Sequence, residues 1–284
     1  MVTSDVSIIL PTFNRADILE ECLNHVVSQD YDNWELIIID DCSQDETKEI
    51  ATKFSKKYPN IKYFRNSINK GLPASRNIGI LESTHNLVFF IEDDLFLNKS
   101  CLRILAETYN TLVPKEKVGG IMPRLLDDVT PINPKKPPII FNKFTGEFIN
   151  NYSINPGRIV ETISVHACSL YPKDLIIQAG GYAEKIFKGN SFREETDLNC
   201  RIKRMDYKFF FQPKAWAYHQ NYRKGGCRVS SKFKLYYFVH RNHMLFVARN
   251  FGLKAVYIIP IYLAKYSIIA GKKLISVFRF DIKT

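Results

Sequence analysis

Two runs, the largely apolar 34–39 and the apolar 87–91, stop on clustered carboxylates: Asp40-Asp41 after the first and Glu92-Asp93-Asp94 after the second. A short continuous apolar run closed by polar residues reads as a strand covered on both faces, the condition of a strand in a parallel sheet. Residues 6–10, ending at Pro11, form a third such run, and 61–64 a shorter one. Between them helical spacing recurs at 17–28 (Ile18, Leu19, Cys22, Val26), 46–58 and 74–83. Strands alternating with helices at this spacing predict an α/β fold with a mainly parallel sheet. Open sheets of this kind bind ligands beyond the carboxyl ends of their strands. Two acidic clusters set there by separate strands are therefore predicted to converge on one crevice.

Further along, 164–171, 208–212 and 216–219 read as strands, and 194–205 as a helix with Leu198 and Ile202 on its apolar side. Residues 127–138 read as a loop whose Lys135-Lys136-Pro137-Pro138 stretch is expected to be mobile, either over the site or as a plain surface connection. From 230 to 250 the pattern is helical and rich in aromatic and basic residues. The net charge of +11 admits a nucleic acid, an anionic membrane surface or an anionic substrate. The surplus lies mostly beyond residue 223, mixed with aromatics, which favours a membrane surface over DNA.

The six cysteines form no CxxC pair, which argues against zinc. With no basic segment at the N-terminus to suggest a secretory signal, free thiols in a reducing cytoplasm are expected. No apolar run reaches the roughly 20 residues of a membrane span. The nearest, 255–270, is broken by Pro260 and Lys265.

Five groups carry candidate chemistry. Asp41 can accept hydrogen bonds from a base or ribose, while Ser43 or Asp45 caps the following helix. Glu92, Asp93 and Asp94 crowd like charges, a cost that a divalent cation with a preference for hard oxygen ligands relieves, magnesium or manganese above all. On the 194–205 helix, Glu194, Asp197 and Arg201 share a face, and Glu195 departs from it, as a general base for a hydroxyl would. His219 can complete a manganese site beside carboxylates, with Arg223 and Lys224 near enough in sequence to hold phosphate oxygens. Arg76, in Arg76-Asn77-Ile78-Gly79, suits either an acid of the crevice or a phosphate.

In order along residues 5–225, these segments resemble glycosyltransferase family 2. The matching pieces are 7–15 with Pro11-Thr12-Phe13-Asn14-Arg15, 35–43, 69–71, 76–79, 90–94, then 193–198 with Arg201, and His219. The resemblance implies a GT-A fold, a Rossmann-like and mainly parallel sheet flanked by helices. It implies an inverting transferase that takes a sugar from a nucleoside-diphosphate sugar to a hydroxyl acceptor. Asp41 favours a UDP- or dTDP-sugar and leaves guanine open, and a membrane role for the basic tail would suit a glycan or lipid-linked acceptor in cell-surface glycan or polysaccharide assembly. Pro11, Thr12, Asn14, Arg15, Asp41, Arg76 and Asp93 would line the nucleotide-sugar site. Asp94, with Glu92 and His219, would hold Mn2+ or Mg2+, and Glu195, with Glu194 beside it, would act as the base. Residues 1–228 would form the catalytic domain, with a nucleotide-sugar half to about 98 and an acceptor half beyond. Residues 229–284 would form a basic, aromatic helical extension, open between membrane contact, packing on the domain and homo-oligomerisation.

Glu92 and Glu195 stand where the family usually has Asp, so a catalytically silent nucleotide-sugar-binding scaffold is the competing reading. A nucleotidylyltransferase would need a Gly-rich loop after the first strand, which residues 11–15 do not supply. Nucleic acid is not an expected partner, because charge alone speaks for it. A cytoplasmic place, peripheral to the inner face of a membrane, is expected.

Overall fold

The computed structural model describes residues 4–129, 132–222, 224–226 and 231–281, with backbone only for 271–281. The first half alternates as predicted: β1 (Val6–Thr12), α1 (Ala16–Val27), β2 (Trp34–Asp40), α2 (Thr47–Lys57), β3 (Ile61–Arg65), α3 (Leu72–Glu82) and β4 (Leu87–Phe90). Then follow β5 (Leu95–Leu97), α4 (Cys101–Leu112), β6 (Val118–Leu126), the hairpin of β7 (Ile139–Asn142) and β8 (Glu147–Asn150), β9 (Val160–Thr162) and β10 (Leu170–Pro172). The chain ends with α5 (Lys173–Gln178), α6 (Glu194–Arg204), β11 (Lys208–His219), α7 (Lys232–Phe251), a 3-10 turn at Gly252–Lys254 and α8 (Ala255–Asp281).

One sheet runs β3-β2-β1-β4-β10-β6-β11-β5, with β9 also on β11. The pairs among β1 to β4 are parallel, as is β6 with β11, while β10, β5 and β9 run antiparallel to their neighbours. This is the GT-A fold. Every residue of β1 is buried, because helices cover both faces of the sheet. One layer of core joins β1 to α1 through Ile8, Leu19 and Leu23, and the other joins it to α3 through Ile9 and Ile80. Gly79 is required in that second layer: a Cβ there would lie 2.4 Å from Ile9 Cγ2.

Two local readings change. Residues 164–169 are not strand, although their polarity alternates, because His166 folds them into a turn: its Nδ1 accepts from Cys168 N at 3.2 Å and its carbonyl from Ser169 Oγ at 2.7 Å. The two strands expected at 208–212 and 216–219 are one strand with an irregularity between Gln212 and Trp216. The described part of the loop before β7 is bonded to the segment that follows β8. Asn151 Nδ2 donates to the carbonyls of Asn133, Lys136 and Pro137. The thiols of Cys22, Cys42, Cys101, Cys168 and Cys200 are free, and Cys227 lies outside the described residues.

Candidate active site

The crevice forms where β1, β2 and β4 end. The β1–α1 loop is laced to the loop after β2: Asn14 N donates to Ser43 Oγ at 2.9 Å, and Asn14 Oδ1 accepts from Gln44 N at 2.7 Å. Asn14 takes a left-handed φ of 51° to do so, a conformation asparagine tolerates better than most residues. Asp45 serves both helices, accepting from Ala16 N at the start of α1 and Thr47 N at the start of α2. Asp41 is not left free. Its Oδ1 accepts from Asn66 Nδ2 and Lys70 N, and its Oδ2 from Gly71 N, each at 2.8 Å. It fixes the 66–71 loop, and acceptor capacity for a ligand remains only on Oδ2.

His219 reaches the acidic cluster through strand register. β5, which follows the cluster at once, pairs antiparallel with the end of β11, setting Leu95 opposite His219, and Gln220 N donates to the carbonyl of Asp94 at 3.0 Å. One ligand atom each of Glu92, Asp94 and His219 then lie within 4.8 Å of one another. That separation is near the width of one coordination sphere, about twice a 2.1 Å bond. His219 Nε2 is 3.5 Å from Asp94 Oδ1, and its Nδ1 is buried without a hydrogen-bond partner among the described residues. Two carboxylates and an imidazole are a donor set that fits manganese, and the two carboxylates alone would suit magnesium.

The electrostatics agree. Burial, with Asp94 adding and Arg15 opposing, pushes Asp93 up to about 7. Removal from water and then the Asp94 charge raise Glu92. Burial acts to lower His219, but the Asp94 hydrogen bond and the charges of Glu92 and Asp94 outweigh it and raise it. The rise of Asp93 is chiefly burial, whereas those of Glu92 and His219 also report neighbouring negative charge held away from water, which a bound cation would relieve.

Arg15 is buried in the same crevice, 3.5 Å from both Asp93 Oδ1 and Asp94 Oδ2, with Tyr222 stacked over its guanidinium at 5.4 Å. The segment beyond His219 folds back over the β1–α1 loop, and Gly226 N donates to Phe13 O at 2.7 Å. Only glycine fits at 225: φ is 64°, and a Cβ would stand 2.0 Å from Asn14 O. Lys224 points to Asp17, 3.3 Å away, rather than into the crevice, and Arg223 lies outside the described residues. Pro11 and Thr12 are buried beside this loop.

Arg76 meets an acid of the crevice rather than open solvent, and Glu194 is its main partner. Arg76 is fully buried, so it cannot meet a phosphate. Its Nη1 pairs with Glu194 Oε1, its Nη2 lies 3.5 Å from Glu92 Oε1, and it packs over Phe90 and Tyr182. Glu194, 2% exposed, is thereby committed to an ion pair that ties α6 to α3, and it is not available to a substrate hydroxyl. Nor does Glu194 share the Asp197–Arg201 cluster. Asp197 accepts instead from Arg201 at 3.0 Å, Arg249 at 3.2 Å and Asn250 at 2.7 Å.

Glu195 departs from that face as expected. It lines a pocket of about 160 Å³ together with Glu92, Tyr152, His166, Arg193 and His219. Its carboxylate accepts from Thr196 Oγ1 at 3.3 Å. Arg193 caps α6 with a left-handed φ of 76°, and its Nε donates to His243 Nδ1 of α7 at 3.2 Å. Sequence reasoning missed Tyr152 and Arg193 as pocket walls. A larger hollow of about 510 Å³ lies between α3 and α5, lined mostly by apolar side chains and by none of the candidate site residues.

The sequence profile described as glycosyl transferase family 2 matches residues 7–176. The chain belongs to glycosyltransferase family 2. It is 34% identical over 196 residues to the GalNAc(5)-diNAcBac-PP-undecaprenol beta-1,3-glucosyltransferase of Campylobacter jejuni, 64% of this chain and 61% of that one. It is 40% identical over 91 residues to the glycosyltransferase AglE of Haloferax volcanii, 31% of this chain and 30% of that one. The chain thus matches less than two thirds of the length of either. Staphylococcus aureus TarS 1–349 with UDP-GlcNAc superposes at a TM-score of 0.61 and 18% identity, covering 91% of this chain and 71% of that one. GalNAc-T7 with UDP, GalNAc and Mn2+ superposes at 0.68 and 15% identity, covering 86% and 48%.

Proposed function

We propose that this chain is an inverting, metal-dependent transferase that moves a sugar from a nucleoside-diphosphate sugar to a hydroxyl acceptor. The observation that carries this reading is the meeting of Glu92, Asp94 and His219 at the rim of the pocket that Glu195 lines. Asp94, Glu92 and His219 would hold manganese or magnesium, and that cation supplies the positive charge that offsets the leaving diphosphate. Pro11, Thr12, Asn14 and Arg15 wall the nucleotide side, Asp41 offers Oδ2 to the base, and Asp93 lies beside ribose or diphosphate. Glu195 takes the proton of the acceptor hydroxyl. The acceptor oxygen then bonds to the anomeric carbon from the face opposite the diphosphate, and the bond to the diphosphate oxygen breaks with its electron pair. A single displacement inverts that carbon. Arg76 and Glu194 do not touch the reactants; they hold α6, and with it Glu195, against the acidic cluster.

A UDP- or dTDP-sugar donor is supported by the UDP and UDP-GlcNAc bound to the similar folds. A lipid-linked glycan acceptor, in cell-surface glycan assembly, is supported by the name of the Campylobacter relative. The reading includes a cytoplasmic place at a membrane, in keeping with free thiols. Slow hydrolysis of an α-linked UDP-sugar with manganese, followed by proton NMR before mutarotation, tests the stereochemistry. The β-anomer is expected as first product, whereas the α-anomer would exclude a single displacement.

A further inference from the structure

The C-terminal hairpin has two unlike faces. Inward, Ile258 and Tyr262 are 1% and 2% exposed, and Lys265 and Tyr266 bond the two oxygens of Glu147 at 2.6 Å and 2.8 Å. Outward, α8 and the turn before it present Leu253, Val256, Tyr257, Ile261, Leu263 and Ile268, from 91% exposed at Leu253 to 41% at Ile261. At about 100° per residue they fall on the half of the helix opposite Ile258, Tyr262 and Lys265, and so make one broad apolar face. Between Lys254 and Lys272 the one charged residue is Lys265, and it is turned inward to Glu147. At the start of α7, Phe233, Tyr236 and Tyr237 are also more than half exposed. Only 17% of the most apolar 18-residue stretch of the hairpin is buried. A soluble surface rarely leaves so long an apolar stripe open to water.

Charge identifies the occupant. From Tyr207 to Phe280 the chain has no Asp or Glu and fourteen Lys and Arg. A second copy seated on this face would bring cations against the same cations, whereas an anionic lipid surface matches both the stripe and its flanking lysines. The length and composition of residues 232–270 would allow a membrane crossing. The inward face rules it out while the hairpin is docked, because a spanning helix would expose Lys265 to hydrocarbon and break its pair with Glu147.

We propose that the outward face of α8, with the first turns of α7, seats this chain on an anionic lipid bilayer without crossing it. The proposal deepens the transferase reading and rests on it for its purpose. The hairpin touches the pocket walls, through His243 to Arg193 and through β8, whose Phe148 and Asn150 line the pocket. Seating it on lipid brings Glu195 to a membrane-borne acceptor.

The test is flotation of the full chain with vesicles of phosphatidylcholine alone and with equal parts phosphatidylglycerol, with neither donor nor acceptor present. The chain is expected to float with the anionic vesicles at low salt and to be stripped by an alkaline carbonate wash. A variant carrying Leu253→Glu, Ile261→Glu and Ile268→Glu is expected to float about tenfold less or worse, with its unfolding midpoint in vesicle-free buffer unchanged. Wild type left at the bottom, equal flotation of the variant, or retention through the wash overturns the proposal. So does a wild-type dimer in light scattering that the variant abolishes, since the occupant is then a second copy. Nucleotide binding, measured without vesicles, reports on the donor site alone, so the two readings fail separately.

Discussion

Replacing Glu195 by Gln is expected to slow sugar transfer about 10²–10⁴-fold while manganese-dependent UDP binding stays within about twofold of wild type. The amide keeps the size and polarity of the side chain but cannot take a proton. Glu195 lies in the pocket shared with Glu92 and His219, and among the described residues its carboxylate is not spent on an ion pair. Glu194, one residue earlier, is spent in that way. Glu195→Asp keeps a carboxylate one methylene shorter and is expected to retain measurable turnover. Steady-state kinetics beside calorimetry separate the terms: a fall in kcat at constant binding supports a base, and turnover of Glu195→Gln within about threefold of wild type removes it.

The second large effect is on stability. Arg76→Met is expected to lower the free energy of unfolding by about 3–5 kcal/mol, because it strands the buried carboxylate of Glu194 without its cation. Glu194 Oε2 already lacks a hydrogen-bond partner among the described residues, so no neighbour stands ready to take over. The double variant Arg76→Met with Glu194→Met removes both charges and is expected to recover most of the loss. Urea unfolding monitored by circular dichroism reads this directly. A single variant as stable as wild type would mean that the pair does not hold α6 to α3.

These two positions mark where the sequence stops being legible. Strands β1, β2 and β4 could be read because burial on both faces leaves a largely continuous apolar run, and the acids after β2 and β4 could be read because they break such a run abruptly. The topology then decided matters that composition could not. His219 stands 125 residues after Asp94 and meets it only through the register of β5 on β11. Arg76 and Asp41 carry the charges expected of ligand-binding groups, but both are engaged by protein partners: Glu194 and Glu92 in one case, loop donors in the other. Which way a turn aims its amides is not written in residue type. Residues 164–169 mimic a strand by alternation, and the side chain of His166 turns them into a pocket wall.

Calorimetric titration of UDP into the full chain, with and without manganese, beside Asp94→Asn, tests most directly whether this is a metal-dependent donor site. Tight binding only with manganese, weakened about tenfold or more in a variant that unfolds at the wild-type midpoint, is the expected result. UDP binding that ignores both manganese and the Asp94 substitution would contradict the assignment of Glu92, Asp94 and His219 to a cation.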